Sequence, residues 1–127
     1  MWIQCNPNPL GKTTGDCVVR AISIATGQSW RRTYEDLCDL GRSECEMPNT
    51  DSVWGLYLER QGFEQFLLPE SCPRCITIQA FCERYPEGTY ILGTGHHAAC
   101  VIDGDLYDSW PSMMETPTFF WRKYDNV

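Results

Sequence analysis

His97-Ala98-Ala99-Cys100-Val101-Ile102-Asp103-Gly104-Asp105-Leu106-Tyr107-Asp108-Ser109-Trp110 reads as two strands joined by a tight turn. Asp-Gly between two apolar runs is a strong signal for a two-residue hairpin. With the turn centred between residues 103 and 104, Asp108 pairs near Ala99, close to His97. Working outward, Thr89-Tyr90-Ile91-Leu92 predicts a strand before the hairpin. Pro111 to Pro117 predicts a loop after it, and Thr118 to Tyr124 a last strand rich in aromatics. Further upstream the apolar period becomes helical. Val18, Ala21, Ile22 and Ala25 repeat at helical spacing between Asp16 and Gly27, which predicts a helix of about ten residues with Cys17 in its first turn. Ser29 caps a second, Trp30 to Leu40, ended by Gly41. A third runs from Ser52 to Gln61 before Gly62, and a fourth from Thr77 to Tyr85 before Pro86. Phe63 to Leu68 predicts a short strand, and Pro69 to Cys75 a turn-rich connection. Residues 1–15, rich in Asn, Pro, Gly and Thr, carry loop chemistry. Helices come first and an antiparallel sheet second, an order that defines the α+β class.

The chain has 127 residues, 43% apolar and 21% charged, and a formal charge of −7. Length and composition fit one globular domain, residues 1–127, able to bury a core without a metal or disulfide. An acidic chain repels nucleic-acid phosphates and anionic membrane surfaces, so neither is an expected partner. Arg31-Arg32 is too small a basic cluster to track phosphates and reads as a solvated helix face. Gly11-Lys12-Thr13 lacks the upstream glycine of a phosphate loop. Met1-Trp2-Ile3-Gln4-Cys5 does not read as a secretory signal, and no apolar run is long enough to span a membrane. The expectation is a cytoplasmic protein whose eight cysteines are mostly free thiols; a disulfide framework is the minority reading.

Cysteine hydrolysis requires a thiolate, a histidine that takes its proton, and a polar group that orients the histidine. A helix N-terminus favours a thiolate through its partial positive charge, and its free N–H groups favour an oxyanion. Cys17 meets that placement. The only histidines are His96 and His97, after the turn Gly93-Thr94-Gly95. Strand neighbours face opposite sides, so at most one can face Cys17. His97, which alternation puts on the face of Ala99 and Val101, is the candidate. Asp108 is the candidate orienting acid. Each also has an ordinary explanation: a buried core thiol, an exposed loop histidine, a solvated strand carboxylate. Asp103 and Asp105, at the turn itself, fit the last of these better.

In these same residues the chain resembles small papain-like cysteine-peptidase-related proteins of gut bacteria and their phages. The matching stretches are Asn6-Pro7 through Gly15-Asp16-Cys17-Val18-Val19-Arg20-Ala21-Ile22, then Gly88-Thr89-Tyr90-Ile91-Leu92, and finally His97 to Val101 with Asp103-Gly104 and Tyr107-Asp108-Ser109-Trp110. More distantly it is similar to the double-glycine leader peptidases. The resemblance implies the papain-like cysteine-proteinase fold, with Cys17, His97 and Asp108 in the catalytic positions. Such enzymes also carry a glutamine a few residues before the cysteine as an oxyanion donor. Here that position is near Gly11, which leaves Asn8, Lys12 or a backbone N–H as candidates. Asn8, Asp16 and Trp110 are the expected substrate-binding residues.

The expected function is a peptidase or amidase acting on a peptide or protein through a thioester, with no cofactor and no metal. The alternative is a catalytically silent protein-binding module on the same scaffold; acyl transfer to an amine is a third reading. Cys72-Pro73-Arg74-Cys75 is a lone CxxC. Zinc with Cys38, Cys45 or Cys82, or a redox pair, is the weaker reading of it. Trp30, Tyr34, Trp54, Tyr57 and Phe81 read as core. Trp110, Phe119, Phe120 and Trp121 are harder to bury at once, which suggests a substrate groove or a homodimer contact.

Overall fold

The computed structural model describes residues 1–69, 71 and 73–124. In chain order the elements are β1 (Trp2–Gln4), α1 (Cys17–Thr26), α2 (Trp30–Glu44), α3 (Asp51–Arg60), β2 (Phe63–Leu67), α4 (Ile78–Arg84), β3 (Thr89–Gly93), β4 (Ala98–Ile102), β5 (Asp105–Asp108), a single 3-10 turn (Ser112–Met114) and β6 (Phe119–Lys123). The class is α+β: the described residues form four helices and one six-stranded sheet in the order β1-β5-β4-β3-β6-β2.

Two expectations change. The sheet is mixed, not antiparallel throughout, because β1 runs parallel to β5 with Ile3 opposite Tyr107. Residues 1–15 therefore do not form one loop. A three-residue strand is too short for period-two alternation to show. The second helix does not stop at Gly41 but continues to Glu44 and ends at Cys45, in the left-handed conformation with φ 56°. Gly41 serves close approach instead: a Cβ there would lie 2.8 Å from the Glu46 carbonyl oxygen. The other boundaries shift by a residue or two. The turn expected over 69–75 falls partly on Glu70 and Cys72, outside the described residues.

Local chemistry sets the frame. The Ser29 hydroxyl accepts from the Arg32 N–H at 3.1 Å, and the Thr77 hydroxyl from the Ala80 N–H at 3.1 Å. These side chains satisfy helix N–H groups that have no intrahelical partner. Asp103 and Gly104 both take positive φ, 50° and 79°, as a primed hairpin turn requires. The resulting register pairs Cys100 with Tyr107 and Val101 with Leu106.

The sheet is covered on both faces. On one side Val19, Ala21 and Ile22 of α1, with Leu37, Val53 and Leu58, pack on Ile91, Ala98, Cys100 and Trp121. On the other, Ile78 and Phe81 of α4 pack on Tyr90, Leu92, Ala99, Val101, Leu106 and Phe120. Burial of each large apolar side chain contributes roughly 1.5–3 kcal/mol. Two covered faces also explain the aromatic end of the chain. Adjacent residues Phe120 and Trp121 enter opposite layers and both are buried, while Trp110 stays partly exposed. No helix among the described residues is long and apolar enough to cross a membrane.

Gly93, the last residue of β3, lies beneath the Phe119 ring, and a Cβ built there would come within 2.1 Å of it. Gly93→Ala is expected to lower the unfolding free energy by about 1–3 kcal/mol in urea denaturation. Gly95→Ala, whose Cβ meets nothing within 4 Å, is expected to stay within about 0.5 kcal/mol.

Candidate active site

Cys17 is the first residue of α1, and Asp16 stands at the N-cap without making a side-chain cap hydrogen bond. Its carboxylate turns inward instead. Asp16 is buried and accepts from the Trp30 indole N–H at 2.8 Å, the Asn8 side-chain amide at 3.3 Å and the Thr14 N–H at 3.4 Å, and it pairs with Arg20. Burial opposes its charge, but these donors and the guanidinium outweigh it and hold the carboxyl below its usual range. The i,i+4 spacing of Asp16 and Arg20 was a readable signal for this pair. Because Asp16 caps nothing with its side chain, the backbone N–H groups of the first turn remain available beside the Cys17 sulfur.

His97 lies just before β4, held by a 2.8 Å hydrogen bond from the Thr94 N–H to its carbonyl. Its side chain is 8% exposed, and its Nε2 lies 2.7 Å from Asp108 Oδ2. An ionised carboxylate only accepts, so Nε2 carries the proton and Nδ1 is left for the sulfur. The Cys17 thiol is a hydrogen-bond partner of the ring. Alternation was not the right ground for choosing His97. Ala99 and Val101 face α4, whereas α1 packs against Ala98 and Cys100. Strict continuation would carry His97 away from the helix that bears Cys17. Regular strand stops at Ala98, so His97 is freed from the pleat and meets the helix tip. His96 is exposed, and its Nε2 lies 3.7 Å from Glu115.

Asp108 ends β5 and is buried. Besides His97, its carboxylate accepts from the Ser112 hydroxyl at 2.5 Å and the Ser109 N–H at 2.8 Å. Its carbonyl accepts from the Cys5 N–H at 2.9 Å and the Trp2 indole at 3.1 Å. Ser112 was invisible at the sequence level, being one polar residue in a loop.

Burial alone would raise the Cys17 pKa. The hydrogen bond with His97, the backbone N–H of Ala98, the charge on His97 and the more distant Arg20 reverse this, and the net shift is downward from the ordinary 9.0. Burial alone would lower His97. Hydrogen bonds to Asp108 and Cys17, with the charges on both, raise it from 6.5 to about 9. Each partner thus favours the ionised form of the other.

A cleft of about 280 Å³ opens over the sulfur, with Gly15, Val18, Asn49, Trp54 and residues 94–98 around it. Of the expected substrate-binding residues, Asn8 is not at this surface: its amide donates to Asp16 and accepts from the Leu10 N–H. It holds the loop under α1 through these two hydrogen bonds. Asp16 has the same supporting role. Trp110 flanks His97, ring centroids 5.1 Å apart, and is 41% exposed. Cys5, Cys17, Cys38, Cys45, Cys82 and Cys100 are free thiols. Among the described residues no cluster of His, Cys, Asp and Glu is arranged to hold a metal ion; Cys72 of the CxxC lies outside them.

No protein-family model matches the chain, and neither a curated protein nor a solved structure does.

Alkylation of Cys17 by iodoacetamide, followed cysteine by cysteine by mass spectrometry, is expected to rise with pH about a midpoint below 9.0. His97→Ala removes the main opposition to burial, so its midpoint moves upward. Cys100, whose thiol burial pushes far up, stays unmodified in the folded protein. An unchanged midpoint in His97→Ala would show that the imidazole does not act on the sulfur.

Proposed function

We propose that this chain is a papain-like cysteine hydrolase, a peptidase or amidase that cleaves a peptide or isopeptide bond through a thioester. One observation carries the reading. A thiol at the tip of a helix partners an imidazole whose other nitrogen lies 2.7 Å from a buried carboxylate. Buried acids held by three donors are costly to arrange, and an orienting role for a histidine gives this one a purpose. The helix carrying the cysteine, and the paired strands carrying the histidine and the acid, support the papain-like reading of the α+β fold.

The chemistry uses these groups alone. The Cys17 thiolate adds to the substrate carbonyl. The oxyanion that forms is met by first-turn N–H groups of α1, without a glutamine side chain. Collapse of this intermediate breaks the C–N bond, and the leaving amine takes its proton from His97. Neutral His97 then removes a proton from water, which attacks the thioester and returns the thiol. Asp108 stabilises the imidazolium and fixes the ring with Nδ1 toward sulfur. An amine in place of water would make the same site an acyltransferase.

The test is acylation with 4-nitrophenyl acetate, quenched in acid and mapped by mass spectrometry. The expected result is a burst of nitrophenol, one acetyl group on Cys17, and slower turnover. Cys17→Ala abolishes the burst. His97→Ala lowers the acylation rate on the order of 10²–10⁴-fold. Slow acetylation spread evenly over the thiols, unchanged by His97→Ala, would overturn the enzyme reading and favour the silent binding module.

A further inference from the structure

One oxygen of Asp108 is shared. The His97 ring lies 2.7 Å from Oδ2 and the Ser112 hydroxyl 2.5 Å from the same atom, while Oδ1 takes the Ser109 N–H at 2.8 Å. We infer that Ser112 is a positioning residue for the reaction: acting through Asp108, it divides the charge of the oxygen that faces the imidazole and so limits how tightly His97 holds its proton. This rests on the hydrolase reading and adds to it the group that tunes the acid.

The hydroxyl is placed independently of the acid it meets. Ser112 opens the 3-10 turn and is 1% exposed. Its N–H donates to the Trp110 carbonyl at 2.8 Å, and its carbonyl accepts from the Glu115 N–H at 3.0 Å. The Glu115 carbonyl in turn accepts from the Ile78 N–H at 2.9 Å, which fastens the turn to the start of α4. An ionised carboxylate only accepts, so Ser112 is the donor. A serine needed merely to satisfy a buried acid could serve either oxygen. This one is held on the oxygen that the imidazole uses.

The sign of its effect follows from the sharing. Two donors on one oxygen each receive less of its charge than a single donor would. Without the hydroxyl, Oδ2 attracts the imidazolium proton more strongly, and His97 stays charged to higher pH. The more persistent imidazolium favours the thiolate, so Cys17 ionises at lower pH. Yet the leaving amine must take that same proton, and an imidazolium held too firmly is a poor acid at working pH. A carboxylate merely loosened by loss of the hydroxyl would do the reverse, weakening the charge on the ring and raising the thiol. The charges that meet the ring come from Asp108 on β5 and Cys17 on α1, with Arg20 of α1 acting on the sulfur. Glu115, beside the 3-10 turn, lies against His96 instead, and beyond β1 burial pushes the Cys5 thiol upward.

Two titrations test this in Ser112→Ala, which removes one oxygen and leaves the backbone bonds of the turn. In the first, iodoacetamide alkylation of Cys17 is followed across pH by mass spectrometry. The midpoint is expected to fall by about 0.5–1 pH unit, part of what a hydrogen bond to a charged group contributes. That is the direction opposite to His97→Ala. Ser112→Thr, which keeps the hydroxyl, is expected to restore the wild-type midpoint. In the second, the His97 ring is titrated by NMR in Cys17→Ala protein, with and without Ser112→Ala, and its midpoint is expected to rise by a similar amount. Should the alanine variant not fold, Ser112→Cys, of similar shape and a weaker donor, is read in the same way. A Cys17 midpoint that stays or rises, or a His97 titration that stays or falls, would overturn the role of Ser112. Where His97→Ala also leaves the Cys17 midpoint unmoved, the hydrolase reading fails instead, and the His97 titration alone decides Ser112.

Discussion

The buried carboxylate of Asp108 is the constraint on which the site depends. Taken out of water, it would be strongly destabilising unless its oxygens were met by donors. It meets three: the His97 ring, the Ser112 hydroxyl and the Ser109 N–H. The same residue's carbonyl takes the N–H of Cys5 and the indole of Trp2. One residue therefore ties together the first strand, the end of β5, the 3-10 turn and the imidazole. The added parallel strand then has a function in the site. It keeps the end of β5 from fraying, and a frayed end would release the acid from the ring.

Asp16 plays the matching part on the helix side. It too is a buried acid, next to Cys17 in the chain, and it gathers Asn8, Thr14, Arg20 and Trp30 around it. The loop before α1 and the start of α2 are thereby fastened to the helix tip. Since the Asp16 carboxylate is committed to these partners, it does not cap the first turn, and its charge is compensated by Arg20. An uncompensated carboxylate one residue from the sulfur would oppose the thiolate. Sulfur and imidazole are each positioned by a different buried acid, one on each side of the cleft.

The hairpin was legible because its turn chemistry and its alternation agree, and the register pairing Cys100 with Tyr107 is the one an Asp-Gly turn dictates. Cys17 at a helix start was legible from the capping pattern, and Asp108 from register. His97 was reached by an argument that fails in detail, since strand parity points it the other way. Proximity to Cys17 arises because the pleat ends at Ala98, a boundary that pattern does not resolve. The inward turn of the Asn8 amide toward Asp16 was not legible for a related reason. Composition marks residues 1–15 as turn-rich, but which amide turns inward depends on the Asp16 cluster, a tertiary matter. Ser112 and β1 left no periodic trace because each acts through one or two contacts made far along the chain.

Cys17 and Cys100 shift in opposite directions from the same ordinary value. Both sit against the face of the sheet that α1 covers. Cys100 lies mid-strand among apolar neighbours, and burial drives its thiol upward. Cys17 is also partly buried, and the same desolvation acts on it. The sign is reversed by what surrounds the helix tip: the imidazole, through its hydrogen bond and its charge, the Ala98 N–H and, as a smaller contribution, Arg20. The imidazole is itself held toward its charged form by Asp108 first and then by Cys17, so each of the two partners favours the ionised form of the other. The mutual shift of thiol and imidazole is thus a property of the assembled helix tip and strand ends together, and it is lost whenever they separate, even with every residue of the three still present.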